Sequence, residues 1–126
     1  MPTDQAKERR RSTRFKVKAG AYTVFSPKSI IPGRINDISA DGLSFSYVEG
    51  EEWYHNSSEL DILFGENDFY LDKIPFETVS DTVIENESPS SQIIMRRCGV
   101  KFGQLTEEQR IQLNMFIQHN TLVALQ

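Results

Sequence analysis

Apolar and polar residues alternate along most of this chain in short stretches, and that period of two constrains the fold more than any other feature. Leu43, Phe45 and Tyr47 alternate with Ser44 and Ser46; Leu60, Ile62 and Phe64 enclose Asp61; Phe15 and Val17 alternate with Lys16 and Lys18. Side chains of a strand point to opposite faces in turn, so each stretch reads as a half-buried strand. Further strand-like runs occupy 29–38, 69–71, 76–84 and 94–102, separated by turn chemistry such as Asp41-Gly42 and Gly65-Glu66-Asn67-Asp68. Gly20 interrupts the first run and shifts the apolar side to Tyr22 and Val24, while Pro32 confines the start of the second to an edge or bulge. In the last run Ile94, Cys98, Val100 and Phe102 share one parity, with Arg96 as the polar intruder.

The period changes once, at the end. Thr106 with Gln109 forms a capping-box pattern, and Glu107 and Glu108 bring negative charge to the first turn. Leu113, Phe116 and Ile117 then recur at helical spacing. The expected architecture is all-β with a C-terminal helix: six or seven short antiparallel strands in a barrel or sandwich over 15–105, and a helix over 106–126 that covers an open end or face. A chain of 126 residues holds one such domain.

Hydrophobic residues at 38% and charged residues at 25% are ordinary for a globular protein, but the net charge of −4 is an average of unlike parts. Residues 1–18 hold seven basic residues against Asp4 and Glu8, a balance of +5, which leaves −9 for 19–126. Residues 1–14 therefore read as a flexible basic arm ahead of an acidic body. No apolar run approaches the roughly 20 residues needed to span a bilayer, and no apolar stretch follows the N-terminal charges as in a signal peptide. A single cysteine, Cys98, fits a reducing, cytoplasmic setting. His55 and His119 stand far apart with no cysteine pair, so no metal site is expected.

Two segments carry chemistry. Arg9-Arg10-Arg11-Ser12-Thr13-Arg14 lies just before the first strand. Its plain reading is a solubilising tail or one that attracts nucleic acid loosely. Arginine rather than lysine, however, supplies the planar fork that matches phosphate oxygens or guanine O6 and N7. The second segment is Asp37-Ile38-Ser39-Ala40-Asp41-Gly42. On extended backbone Asp37 and Ser39 share a face and Ile38 points into the core. A carboxylate can accept from the N–H groups of a guanine, a hydroxyl can donate and accept, and Gly42 permits a positive φ or a close backbone approach. The plain reading here is a polar turn whose side chains bond nearby backbone.

Arg10-x-x-x-Arg14 followed by Asp37-x-Ser39-x-x-Gly42 resembles the RxxxR and D/NxSxxG motifs of PilZ domains, bacterial receptors for cyclic di-GMP. Gly42-Leu43-Ser44-Phe45 continues the second motif in the family's manner, and Arg97-Cys98-Gly99-Val100-Lys101-Phe102 looks like the family's last strand. The resemblance covers 9–118, with 49–92 matching only in strand pattern. It implies a six-stranded antiparallel barrel of the PilZ type, in which Arg10 and Arg14 engage guanines and phosphates and Asp37, Ser39 and Gly42 surround a guanine. Arg9, just before the motif, implies two intercalated nucleotides per protomer; Arg11 and Arg97 are further candidates. No cofactor other than this ligand is implied.

No nucleophile and base pair is visible, so the chain reads as a binding module rather than an enzyme, acting through an unidentified effector protein. The alternatives are a PilZ-like interaction module of pilus or motility assembly that leaves the nucleotide site unused, and nonspecific nucleic-acid binding by the arm, which the −9 body opposes. Neither nucleic acid nor membrane is an expected partner. The acidic set Glu49, Glu51, Glu52, Glu59 and Asp61 lacks the spacing of a calcium loop and reads as a solvated face. Trp53-Tyr54 reads as part of a loop over 49–59 packed on the barrel.

Overall fold

The structure, a computed structural model, describes residues 13–25, 32–50, 57–65, 68–84 and 93–125, with side chains as far as residue 122. Arg9, Arg10, Arg11, Trp53 and Tyr54 lie outside the described residues. The strands are β1 (Arg14–Val17), β2 (Ala21–Phe25), β3 (Gly33–Ile38), β4 (Gly42–Val48), β5 (Glu59–Phe64), β6 (Phe69–Val83), β7 (Met95–Phe102) and β8 (Thr121–Leu125), with one helix, α1 (Glu107–Asn120), before the last.

Six of these strands close a barrel. The order β2-β5-β6-β7-β4-β3 returns on itself because Tyr22 and Thr23 of β2 pair with Arg34 and Gly33 of β3. Every pairing is antiparallel. β1 lies along the far end of β3, with Phe15 opposite Ile38 and Lys16 opposite Asp37, and β8 pairs with the outer edge of β1. β1 and β2 are thus two lengths of one bent ribbon. Gly20, at φ +102°, makes the bend in a region that other residues avoid.

The interior is filled by the alternating residues of each strand, among them Phe25, Ile35, Phe45, Leu60, Ile62, Phe64, Ile74 and Cys98. Phe25 packs between Phe45, tilted at 5.2 Å between ring centroids, and Phe76, edge-on at 5.4 Å. The helix closes one end by inserting Leu113 and Phe116; Phe116 meets Phe64 edge-on at 6.1 Å and Phe69 at 4.9 Å. Rings in such geometry contribute about 0.5–1.5 kcal/mol beyond the area they bury. The capping box forms as the sequence predicts, with Thr106 Oγ1 accepting from the Gln109 amide and Gln109 Oε1 accepting from the Thr106 amide. Gln109 Nε2 also donates to the carbonyls of Asp72 and Lys73, which fastens the first turn of the helix to β6.

Four local expectations are corrected. Ala21, Thr23 and Phe25 face inward in β2, whereas Tyr22 is 40% exposed; Thr23 hides its polarity by donating its hydroxyl to the Asp61 carbonyl. Residues 69–71 and 76–84 are not separate strands but parts of β6, which passes through Asp72 and Lys73 because Lys73 takes φ +57° and its amide donates to Asp61 Oδ1. Ile94 is 41% exposed, one residue before β7 begins. The helix does not reach 126: it ends at Asn120, Thr121 turns extended, and 121–125 becomes β8 because the free edge of β1 offers that segment a ladder.

Candidate functional site

The hairpin between β3 and β4 is built by the Asp37 to Gly42 segment. Ser39 is nearly buried, and its hydroxyl oxygen accepts from the Asp41 amide at 3.1 Å while its own amide donates to the Gly42 carbonyl at 2.8 Å. It braces the turn in the way Ser and Thr side chains commonly do. Phe102 N–H donates to the Asp41 carbonyl at 2.7 Å and ties the turn to β7. Gly42 is needed for close approach rather than for a positive φ: a Cβ there would stand 2.1 Å from the Val100 carbonyl oxygen.

A bulge between Ile35 and Asp37 breaks the simple alternation of β3, so Asp37 and Ile38 are both buried, Ile38 in the core and Asp37 beneath two guanidinium groups. Arg14, the first residue of β1, donates from Nη2 to both carboxylate oxygens of Asp37 at 2.9 Å. Arg97 of β7 donates from Nη2 to Asp37 Oδ2 at 2.6 Å and to Ser44 Oγ at 3.2 Å. Charge-assisted bonds of this length are the stronger kind, and a buried carboxylate requires such partners.

Pairing register extends the same outer wall. Gly42 stands opposite Lys101, Ser44 opposite Gly99, and Ser46 opposite Arg97. Asn36 Nδ2 donates to Ser46 Oγ at 2.8 Å, and Lys16 lies beside Asp37 in the β1–β3 ladder. The wall across β1, β3, β4 and β7 therefore carries Arg14, Lys16, Arg97 and Lys101 around one buried carboxylate. Such a surface attracts anions, and its guanidinium groups offer planar forks for phosphate or for a base edge.

The structure thus brings Arg14, Asp37, Ser39, Gly42 and Arg97 together. Sequence reasoning passed over Ser44, Ser46, Lys16 and Lys101; the signal was the parity of β4, whose serines had to share an outward face once Phe45 was core. A hollow of about 450 Å3 between α1 and the start of β6, lined by Phe69, Tyr70, Gln112, Met115, Phe116 and His119, contains none of the motif residues. Among the described residues no helix is long and apolar enough to cross a membrane, and no group of three His, Cys, Asp or Glu side chains is gathered as a metal site.

A closed barrel with a helical plug, carrying Arg14 and the Asp37 to Gly42 turn on one wall, defines a class, and comparison with known families agrees: the model of the PilZ domain matches residues 8–119. The chain belongs to the PilZ domain family. The PilZ domain of YcgR from Escherichia coli, with c-di-GMP, is similar in fold, with a TM-score of 0.64 and 16% identity over 87% of this chain and 89% of that one. The K. pneumonia MrkH–c-di-GMP complex has a TM-score of 0.67 at 14% identity, covering 86% of this chain and 51% of that one. MrkH, described as a c-di-GMP-dependent transcription regulatory factor, also matches with a TM-score of 0.65 at 14% identity, 86% of this chain and 49% of that one. The chain spans about half the length of these MrkH chains. No curated protein matches it.

Proposed function

We propose that this chain is a cyclic di-GMP receptor that works as a binding module and not as an enzyme. Membership of the PilZ family and the c-di-GMP in the YcgR and MrkH structures support the ligand. The observation that carries the reading is the ion pair of Arg14 with Asp37, one residue from each motif, joined by Arg97 of β7. Arg9, Arg10, Arg14, Asp37, Ser39 and Gly42 form the site, with Arg11 and Arg97 as further members. The arginine arm, +5 over its first eighteen residues, folds over the dianion and brings Arg9 to a second guanine, so that two nucleotides are held per chain. Closure of the arm changes the surface that an effector protein meets, and the ligand acts through its higher affinity for the closed state.

Isothermal calorimetry with cyclic di-GMP tests this directly. Binding with two nucleotides per chain is expected, and Arg14→Ala should abolish it. One nucleotide per chain removes the role given to Arg9. Unchanged affinity in both Arg14→Ala and Asp37→Ala refutes the site, and no heat from the wild type favours a PilZ-like interaction module that leaves the nucleotide site unused.

A further inference from the structure

We propose that the hollow between α1 and the first stretch of β6 is a docking groove for a basic amphipathic segment of a partner protein, whose apolar side chains meet its floor and whose lysines or arginines meet its rim. The proposal gives chemistry to the effector protein of the reading above and stands apart from the nucleotide site.

The floor is apolar and open. About 450 Å3 of space lies among Phe69, Tyr70, Met115 and Phe116. Phe116 belongs to the plug and is buried, but Tyr70 is 49% and Met115 52% exposed. Ile111, one helical turn before Met115, is 54% exposed and lengthens the strip. Leu113 and Phe116 plug the barrel from the other face of α1, so Ile111 and Met115 are not needed there. Exposed apolar side chains gathered beside a hollow mark a contact surface, whereas single ones do not.

The rim is acidic. Asp68 and Asp72 stand two residues before and after Tyr70, and Asp61 of β5 accepts a hydrogen bond from the Tyr70 hydroxyl. That bond first, then burial and the charges of Asp61 and Asp72, raise the Tyr70 pKa, a sign of negative potential at the mouth of the hollow. Asp68 takes φ +55°, where glycine or asparagine would serve the backbone equally well without the charge. Across the hollow, Glu108 shares one face of α1 with Gln112, Met115 and His119, and Gln112 Nε2 donates to Glu108 Oε1 at 3.5 Å. Lys73 is the one cation of the 68–73 stretch, and Lys18, at the helix end, donates its ammonium to the His119 carbonyl.

This combination selects the partner. Negative potential repels nucleic acid and anionic lipid headgroups, and a free cation leaves the apolar floor in water. A helix with leucine-like residues at i, i+3 and i+4 and basic residues beside them satisfies floor and rim together. From Glu108 to His119 the groove runs about 16 Å, room for about three turns of such a helix. The chain's own arm does not match it, because no apolar side chain stands between Ala6 and Phe15.

The test sets the full chain, without nucleotide, against three labelled peptides of about twelve residues. The first arranges leucine and lysine as an amphipathic helix, the second scrambles the same residues, and the third replaces each lysine of the first with glutamate. Fluorescence anisotropy should show saturable binding of the first, at least about tenfold tighter than either control. Met115→Lys, at an exposed helix position, should weaken it about tenfold or more by facing like charge. Asp68→Asn, which the left-handed backbone accepts, should weaken it about threefold. Glu77→Gln removes the same charge farther along β6, opposite Lys101, and should change affinity by less than about 1.5-fold.

Equal affinity for the scrambled peptide, or equal losses in Asp68→Asn and Glu77→Gln, would reduce the contact to diffuse charge attraction and overturn the groove. No saturable binding at about 1 mM would overturn it as well. Sedimentation that shows a dimer dissolved by Met115→Lys would give the groove to a second copy and overturn the partner assignment. Thermal melts check that each variant folds; should Met115→Lys fail, Asp68→Asn against Glu77→Gln decides. A chain that gives no heat with cyclic di-GMP yet binds the first peptide loses the receptor reading and keeps the groove, and the reverse result does the opposite.

Discussion

Two ion networks share β7, one residue apart, and they are built on opposite ratios of charge. Arg96 is one guanidinium between two carboxylates: its Nε donates to Asp81 Oδ1 at 3.0 Å and its Nη1 to Glu49 Oε1 at 2.9 Å, while the Tyr47 hydroxyl also donates to Asp81. These partners push the Arg96 pKa up from an already high value, Asp81 most of all. Arg97 shares one carboxylate, Asp37, with Arg14. The first arrangement leaves an excess of negative charge and consumes its arginine; the second leaves an excess of positive charge facing out. Counting partners on each side of an ion pair therefore separates a cluster that braces the barrel from one equipped to take an anion.

The comparison breaks most visibly at the two aspartates. Asp37→Ala should cost about 2–3 kcal/mol in urea unfolding, below the usual penalty for a broken buried pair because both arginines are more than one-third exposed, and nucleotide binding should vanish in calorimetry. Asp81→Asn should cost about 1–2 kcal/mol by the same measurement and leave nucleotide affinity within about twofold, since the bonds it weakens to Tyr47 and Arg96 involve none of the motif residues. Equal losses of affinity in the two variants would erase the distinction between the networks.

A third carboxylate, Asp61, sharpens the contrast from the neutral side. It accepts a hydrogen bond from the Tyr70 hydroxyl, and this bond, with burial and the negative charges of Asp61 and Asp72, pushes the Tyr70 pKa up to about 12. A raised pKa means that the protonated phenol is the favoured form in the folded chain. The stabilisation is then complete below the unfolded value near 10 and fades as pH rises from about 10 to 12. Tyr70→Phe should lower stability by about 1 kcal/mol at neutral pH and abolish that alkaline dependence, followed by unfolding and by phenolate absorbance. Cys98 gives the smallest effect. Burial pushes its thiol up to about 11, so labelling by a thiol reagent at mildly alkaline pH should be slow in the folded chain and rapid in urea. Fast labelling of the folded chain would mean that the barrel opens at β7.

Much of this was legible in the residues. Leu43, Phe45 and Tyr47, then Leu60, Ile62 and Phe64, are buried as their alternation predicts, and Thr106 with Gln109 caps the helix. Arg14, Asp37 and Gly42 meet because the motif spacing encodes one wall. What escaped depends on contacts between distant segments. Nothing local in Asp72-Lys73 says that Asp61 and Gln109 will satisfy a backbone at positive φ there. The end of the helix at Asn120 reflects the open edge of β1, about a hundred residues earlier. Parity alone puts Arg96 and Arg97 on opposite faces, but only the positions of Asp81 and Asp37 say which arginine serves which face.

β8 gives Arg14 its footing. β1 is paired on one side to β3, through Phe15 and Lys16, and on the other to β8, where Arg14 stands opposite Leu125, and β8 follows α1 with no intervening residue. A one-residue slip of β1 would exchange the faces of Arg14 and Phe15, and two ladders oppose it. β1 is held like a pin between two knuckles of a hinge. That pin is continuous, through β8, with the rod that stoppers the barrel.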